Sequence, residues 1–194
     1  MKRPPLFFLL IAGLISTVSA KSEIISPNKF FGDSTITATT IPGVEKLWQE
    51  VINVAGAEYD LYLRAADVLN LEASVSHRKK YISYNPSYIN WINSITGTKW
   101  ATLTLLAHEV GHHLKGHTTH KRTDRLAAEL EADEYAGYIL YKLGATLAET
   151  QQVMIFIAKK EDSQTHPGRD SRMLALQKGW DKASGENISG ASKP

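Results

Sequence analysis

Apolar residues recur along this chain at two spacings, and the change from one to the other marks out its elements. Val44, Leu47, Trp48, Val51, Ile52 and Ala55 repeat at helical intervals and predict an amphipathic helix over Gly43 to Ala57. Between Tyr59 and Tyr84 the runs become short and strand-like: Asp60 to Arg64, Leu71 to Val75 and Lys80 to Tyr84, with breaks at Asp67, Asn70 and His77-Arg78-Lys79. They predict a small antiparallel sheet. Pro86-Ser87 opens a helix carrying Tyr88, Ile89 and Trp91, which Thr96-Gly97-Thr98 closes. A further helix is predicted over residues 100 to 114. The polar stretch Gly116 to Arg122 turns the chain back, and Thr123 caps a helix to about Leu143 with Gly144 at its end.

Thr146 and Glu149 fit a capping box ahead of Leu147, Val153, Met154, Ile157 and Ala158. Thr165-His166-Pro167-Gly168 reads as a loop, and Asp170 as the cap of a last helix ending near Trp180. From Ser184 to Pro194 the only large apolar residue is Ile188, which predicts a disordered tail over residues 184–194. The fold class expected is α+β: a mostly helical domain with a small antiparallel sheet beside the helix over 100 to 114.

Composition narrows the setting. At 194 residues the chain has the size of one domain. Its first twenty residues have the layout of a secretory signal: Lys2 and Arg3, the apolar run Leu6 to Ile15, then Val18-Ser19-Ala20. Residues 1–20 are expected to be removed after Ala20, leaving a domain over 21–183, with Ser, Pro, Gly and Thr before position 43 forming an irregular arm on it. The expected location is the periplasm or the cell exterior. The apolar run is short for a bilayer span, so no stable membrane insertion of the mature chain is expected. Without Lys2 and Arg3, basic and acidic side chains are equal in number, which gives no electrostatic reason to expect nucleic acid or an anionic membrane as partner. The absence of cysteine excludes disulfides and thiolate metal sites.

The chemistry concentrates in His108-Glu109-Val110-Gly111-His112-His113 and in Glu129-Leu130-Glu131-Ala132-Asp133. On a helix, His108 and His112 lie about 40° apart around the axis and roughly 6 Å along it, so both imidazoles reach one divalent cation. Glu109 falls beside that cation and stays free as a base. A hydrolytic zinc site takes three protein ligands and leaves a position for water. If the chain returns antiparallel from Thr123, Glu129 faces His112 and supplies the third ligand. Asp133, one turn on, is placed to orient a ligand histidine through its other ring nitrogen. A pattern with a third histidine six residues after His112 is disfavoured, because position 118 is Thr and His117 comes one early. One Zn2+ per chain, held by His108, His112 and Glu129, is the expected cofactor, and a protein or peptide the expected substrate.

These two motifs, followed by Thr165-His166-Pro167 and Arg172, resemble those of gluzincin peptidases of the HtpX and CAAX prenyl protease group. The resemblance runs from residue 108 to 172 and implies a zinc endopeptidase with Glu109 as catalytic base. It further implies that His166 lies near the metal cleft, as an oxyanion donor or over the open coordination position, whereas spacing alone reads it as a turn residue. The layout is nearer to soluble periplasmic members than to those with transmembrane helices. Two other functions stay open: an idle metal- or peptide-binding module, and a zinc hydrolase of cell-wall peptides.

Several residues have plainer readings. Gly111 is expected where a neighbouring backbone comes close, since glycine costs a helix about 1 kcal/mol over alanine. His113 should point off the ligand face, with contact to the site as the alternative; His117 and His120 read as surface loop histidines, with an accessory metal role as the alternative; and Glu131 and Glu134 read as a solvated helix face. Arg172 either pairs with an acidic group behind the metal or covers surface. Ile82, Ser83 and Tyr84 are a candidate sheet edge for binding an extended peptide, or an ordinary strand.

Overall fold

A computed structural model describes residues 43–57, 61–119 and 124–191, with side chains as far as residue 186. The expected signal and arm, Thr123, His120 and the last three residues of the tail lie outside that set. The elements follow in order as α1 (Val44–Ala55), β1 (Leu61–Ala65), β2 (Leu71–Ser76), β3 (Lys79–Tyr84), α2 (Pro86–Thr96), α3 (Trp100–Leu114), α4 (Arg125–Lys142), α5 (Leu147–Ile157) and α6 (Arg169–Ala191). The fold is α+β and mostly helical.

Local chemistry sets the boundaries. Asn85 accepts from the amides of Ser87 and Tyr88, and Pro86 occupies the first turn of α2, where it forfeits no helix bond. Thr146 and Glu149 form the full capping box of α5. Helix α4 is capped by Asp124, which accepts from Ala127, and not by Thr123 as expected.

The sheet differs from expectation in a way that matters for the site. It is mixed, not antiparallel, with strand order β1-β3-β2: β3 runs parallel to β1 and antiparallel to β2. The physical reason lies in Ala66 to Asn70, which carry the chain across the end of β3. The amides of Ala66 and Asn85 donate to Tyr84 O and Asn70 O, while Asn85 Nδ2 holds Val68 O. β3 is therefore inserted between its predecessors, and Ile82, Ser83 and Tyr84 are buried in the central strand. The proposed edge there is corrected: the edges are β1 and β2, and β2 packs beside α3.

Helix α3 is buried along most of its length and packs against both the sheet and the other helices. Leu103, Leu106, Ala107 and Val110 lie in the core, and Thr102 and Thr104 reach it by bonding to Asn93 Oδ1 and to the Trp100 carbonyl. α4 approaches α3 through small residues. A Cβ on Gly111 would stand 3.2 Å from the Cα and carbonyl oxygen of Ala132, the close backbone approach expected of that glycine.

On its other side α4 meets α6, pairing Asp133 with Arg172, Gly137 with Leu176 and Tyr141 with Trp180, a turn apart along both helices. Here the sequence misled. α6 does not stop near Trp180 but continues to Ala191, because Ala183 is buried and Glu186 accepts from Tyr138 on α4 at 2.8 Å. Polar composition predicted disorder from Ser184, and tertiary contacts override it. No helix of the described residues is long and apolar enough to cross a membrane.

The crossing yields a paired test. A Cβ on Gly137 collides with the Leu176 carbonyl, so Gly137→Ala should cost about 1–3 kcal/mol or more. Gly185, in the same helix α6, has open space around it, and Gly185→Ala should stabilise by about 0.5–1 kcal/mol. Urea unfolding of the two variants beside wild type measures both.

Candidate metal centre

Close packing of α3 on α4 brings the predicted ligands together. His108 Nε2 lies 3.0 Å from His112 Nε2 and 3.3 Å from Glu129 Oε2, and His112 Nε2 lies 3.5 Å from Glu129 Oε1. Three donors on a tetrahedral ion with bonds of about 2.0 to 2.1 Å stand about 3.3 Å apart, so these spacings fit a metal. Glu129 Oε2 is moreover buried with no well-formed hydrogen bond, as an oxygen meant for a cation would be. His108, His112 and Glu129 can hold a metal ion, and among the described residues they form the one such group.

Around the ligands stands a ring of orienting contacts. His108 Nδ1–H donates to Asp133 Oδ1 at 2.8 Å, which turns its Nε2 toward the ion position. Arg172 grips the same carboxylate with Nε on Oδ2 at 2.7 Å and Nη2 on Oδ1 at 2.8 Å. Of its two readings, the pair with an acidic group is the one realised. Burial opposes charge on His108, but Asp133 and Glu129 outweigh it and push its pKa up to about 10. Burial, and then the charge of His108, push His112 down to about 3. The Glu129 carboxyl is likewise opposed by burial, yet interaction with His108 and His112 leaves it below its usual value.

Glu109 follows His108 on α3 but is not one of the three converging donors. Burial pushes its carboxyl up to about 7, with Glu129 adding to the effect, while His108 and a hydrogen bond from the Ala73 backbone on β2 oppose it. A carboxyl poised there exchanges protons near neutrality. His166 stands at the mouth, with a side chain 51% exposed and Nε2 3.5 Å from Glu129 Oε2. Thr165 Oγ1 is 2.9 Å from its Nδ1, so donation from that hydroxyl leaves the proton on Nε2. Burial keeps its pKa below the ordinary histidine value.

The loop carrying His166 is firmly built: Ser163 Oγ accepts the His166 amide, Asp162 accepts that of Gly168, and Arg169 N bonds to Lys159 O. Behind it a cavity of about 260 Å³ opens between His166, Pro167, Arg172, Tyr88, Ile157 and Asn70.

Two histidines separate cleanly. His113 bonds Tyr81 O at 2.9 Å and Thr118 Oγ1 at 3.0 Å, away from the site, and fastens α3 to β3. His117, expected on the surface, has a side chain only 4% exposed and contacts His112. Sequence reading missed it, although Gly116 just before it was a usable signal of a chain folding back. Glu131 is also no plain surface charge, since it accepts from His117. Glu134 does sit outside, paired with Lys178.

The fold and these side chains define a helix pair that can hold a metal ion. No protein-family model matches the chain, and neither a curated protein nor a solved structure is found similar to it.

Asp133 offers the sharpest test of the site's electrostatics. Asp133→Asn leaves Arg172 buried without a countercharge and should cost about 3–5 kcal/mol in denaturant unfolding. Burial raises the Asp133 pKa, but His108 and Arg172 overcome it and hold the group below its ordinary 3.8. Its contribution is therefore present above about pH 3.8 and lost as pH falls through the lower folded value. The gap between wild type and variant should close in that acid range, and a gap that stays constant would contradict the assignment.

Proposed function

We propose that this protein is a metal-dependent endopeptidase, with zinc as the metal suited to a His, His, Glu donor set. One observation carries the reading. His108, His112 and Glu129 converge, while Glu109, on the same helix, stays out of the ligand group as a partly buried carboxyl with its pKa raised to about 7. Metal binding alone does not require that carboxyl.

A bound zinc would supply Lewis acidity, acidifying a water molecule and polarising a substrate carbonyl. Glu109 takes the proton from the attacking water and returns it to the amine nitrogen as the C–N bond breaks. His166, with its proton on Nε2, donates to the carbonyl oxygen as that oxygen gains charge. Arg172 and Asp133 hold the ligand helix and do not touch substrate.

Strand β2 suggests how substrate is laid in. Its outer edge has no strand partner among the described residues, lies beside α3, and presents the Ala73 backbone to Glu109. An extended chain added to that edge would gain main-chain hydrogen bonds and be read by few side chains, which suits unfolded proteins. The cavity behind His166 would take one side chain next to the bond cut. Three motifs resembling the HtpX and CAAX prenyl protease group support the same reading, and the signal-like residues 1–20 point to work on exported proteins.

The test uses zinc-loaded wild type and Glu109→Gln on a reduced, unfolded protein substrate. Expected is equal zinc content by elemental analysis, with cleavage by the variant down at least about 100-fold. Zinc-loaded wild type that cuts neither unfolded protein nor peptide libraries would overturn the proposal in favour of an idle binding module. Cleavage confined to purified peptidoglycan would move it to cell-wall peptides.

A further inference from the structure

Helix α3 ends in a Schellman turn that has a consequence for the metal. Gly116 takes the left-handed conformation at φ 76, the Gly116 amide donates to His113 O at 3.2 Å, and the His117 amide donates to His112 O at 2.9 Å. In such a turn the residue after the glycine ordinarily makes an apolar contact with the residue five before it. Here both positions are histidine, and the contact becomes a hydrogen bond, Nδ1 to Nδ1 at 3.0 Å, between rings set edge to face.

With a cation on His108, His112 and Glu129, the proton positions along this chain of contacts follow. His112 Nε2 faces His108 and Glu129, so it can serve a cation only as a lone pair, which leaves the ring proton on Nδ1. Two ring nitrogens 3.0 Å apart share one proton, so His117 Nδ1 accepts it and carries its own proton on Nε2. There Glu131 Oε2 accepts at 3.0 Å. Each member fixes the next, from a half-exposed carboxylate inward to the ligand.

We propose that His117, backed by Glu131, is a positioning residue for His112, doing through the end of α3 what Asp133 does for His108 from α4. The inference rests on the reading of His108, His112 and Glu129 as metal ligands. It gives each histidine ligand its own partner on its outer nitrogen, one a carboxylate and one an imidazole.

His117→Asn and His117→Leu test it. Asparagine Oδ1 lies as many bonds from Cα as histidine Nδ1 and can accept the same proton, whereas leucine cannot. In the metal-free proteins, long-range 1H–15N spectra read the tautomer directly: His112 should carry its proton on Nδ1 in wild type and His117→Asn, and lose that preference in His117→Leu. Zinc affinity, measured against a chromophoric chelator, should fall about 10- to 100-fold in the leucine variant and only slightly in the asparagine variant. If the leucine variant does not fold, Glu131→Ala, with a side chain 41% exposed, replaces it and should show the same tautomer change with a smaller loss of affinity. An unchanged His112 tautomer and unchanged affinity in His117→Leu, or an asparagine variant as weak as leucine, would overturn the proposal. Failure of wild type to bind zinc would remove the metal reading instead, and the tautomer spectra would still decide the part played by His117.

Discussion

A single carboxylate, that of Asp133, joins three helices at the centre of this domain. It is fully buried, belongs to α4, accepts from His108 on α3 and is gripped by Arg172 on α6. Burying a carboxylate is costly unless its lone pairs are filled, and these three bonds fill them. The backbone geometry serves that contact. Gly111 lets α4 close on α3, and Gly137, one turn from Asp133, lets α6 close on α4 so that the guanidinium arrives in reach. A larger residue would push α4 from α3 by a few tenths of an ångström at Gly111 and would drive α6 off α4 much further at Gly137, where a Cβ runs into the Leu176 carbonyl.

The metal centre inherits its shape from this arrangement. His108 and His112 are spaced by helix geometry, but the aim of each Nε2 is set from outside α3, by Asp133 for one and by the C-terminal turn for the other. Glu129 reaches the same point because it precedes Asp133 by one helical turn, so α4 delivers a ligand and a ligand's anchor together. The buried Glu129 Oε2, without a well-formed hydrogen bond, is suited to accept a cation there.

Much of this was legible in the chain. The helical repeat and the capping signals at Pro86 and Thr146 located α2, α3 and α5 closely, and the four-residue spacings of His108/His112 and Glu129/Asp133 predicted which side chains share a face. What periodicity cannot carry is pairing. Alternation in Leu61 to Tyr84 reveals strands but not their order, which is fixed by backbone bonds of Ala66 and Asn85 that leave no hydrophobic trace. The polar segment after Trp180 likewise looked unstructured, because its support comes from Tyr138 and from burial of Ala183 rather than from its own composition. His117 was misplaced for the opposite reason: a polar residue after a helix is normally solvated, and only the left-handed Gly116 turns this one inward.

Arg172 completes the balance of charge. An anion beside His108 raises the basicity of the ligand, yet it also stabilises the proton with which a metal must compete. Left alone in a buried site, Asp133 would hold His108 as an imidazolium still more firmly. The guanidinium opposes that tendency, since it disfavours charge on His108 while keeping Asp133 ionised and correctly turned. The guanidinium thus tempers the preference of His108 for the proton without abolishing it, while the ligand keeps its orientation. His112 differs, since its outer nitrogen faces the imidazole of His117 instead of a carboxylate.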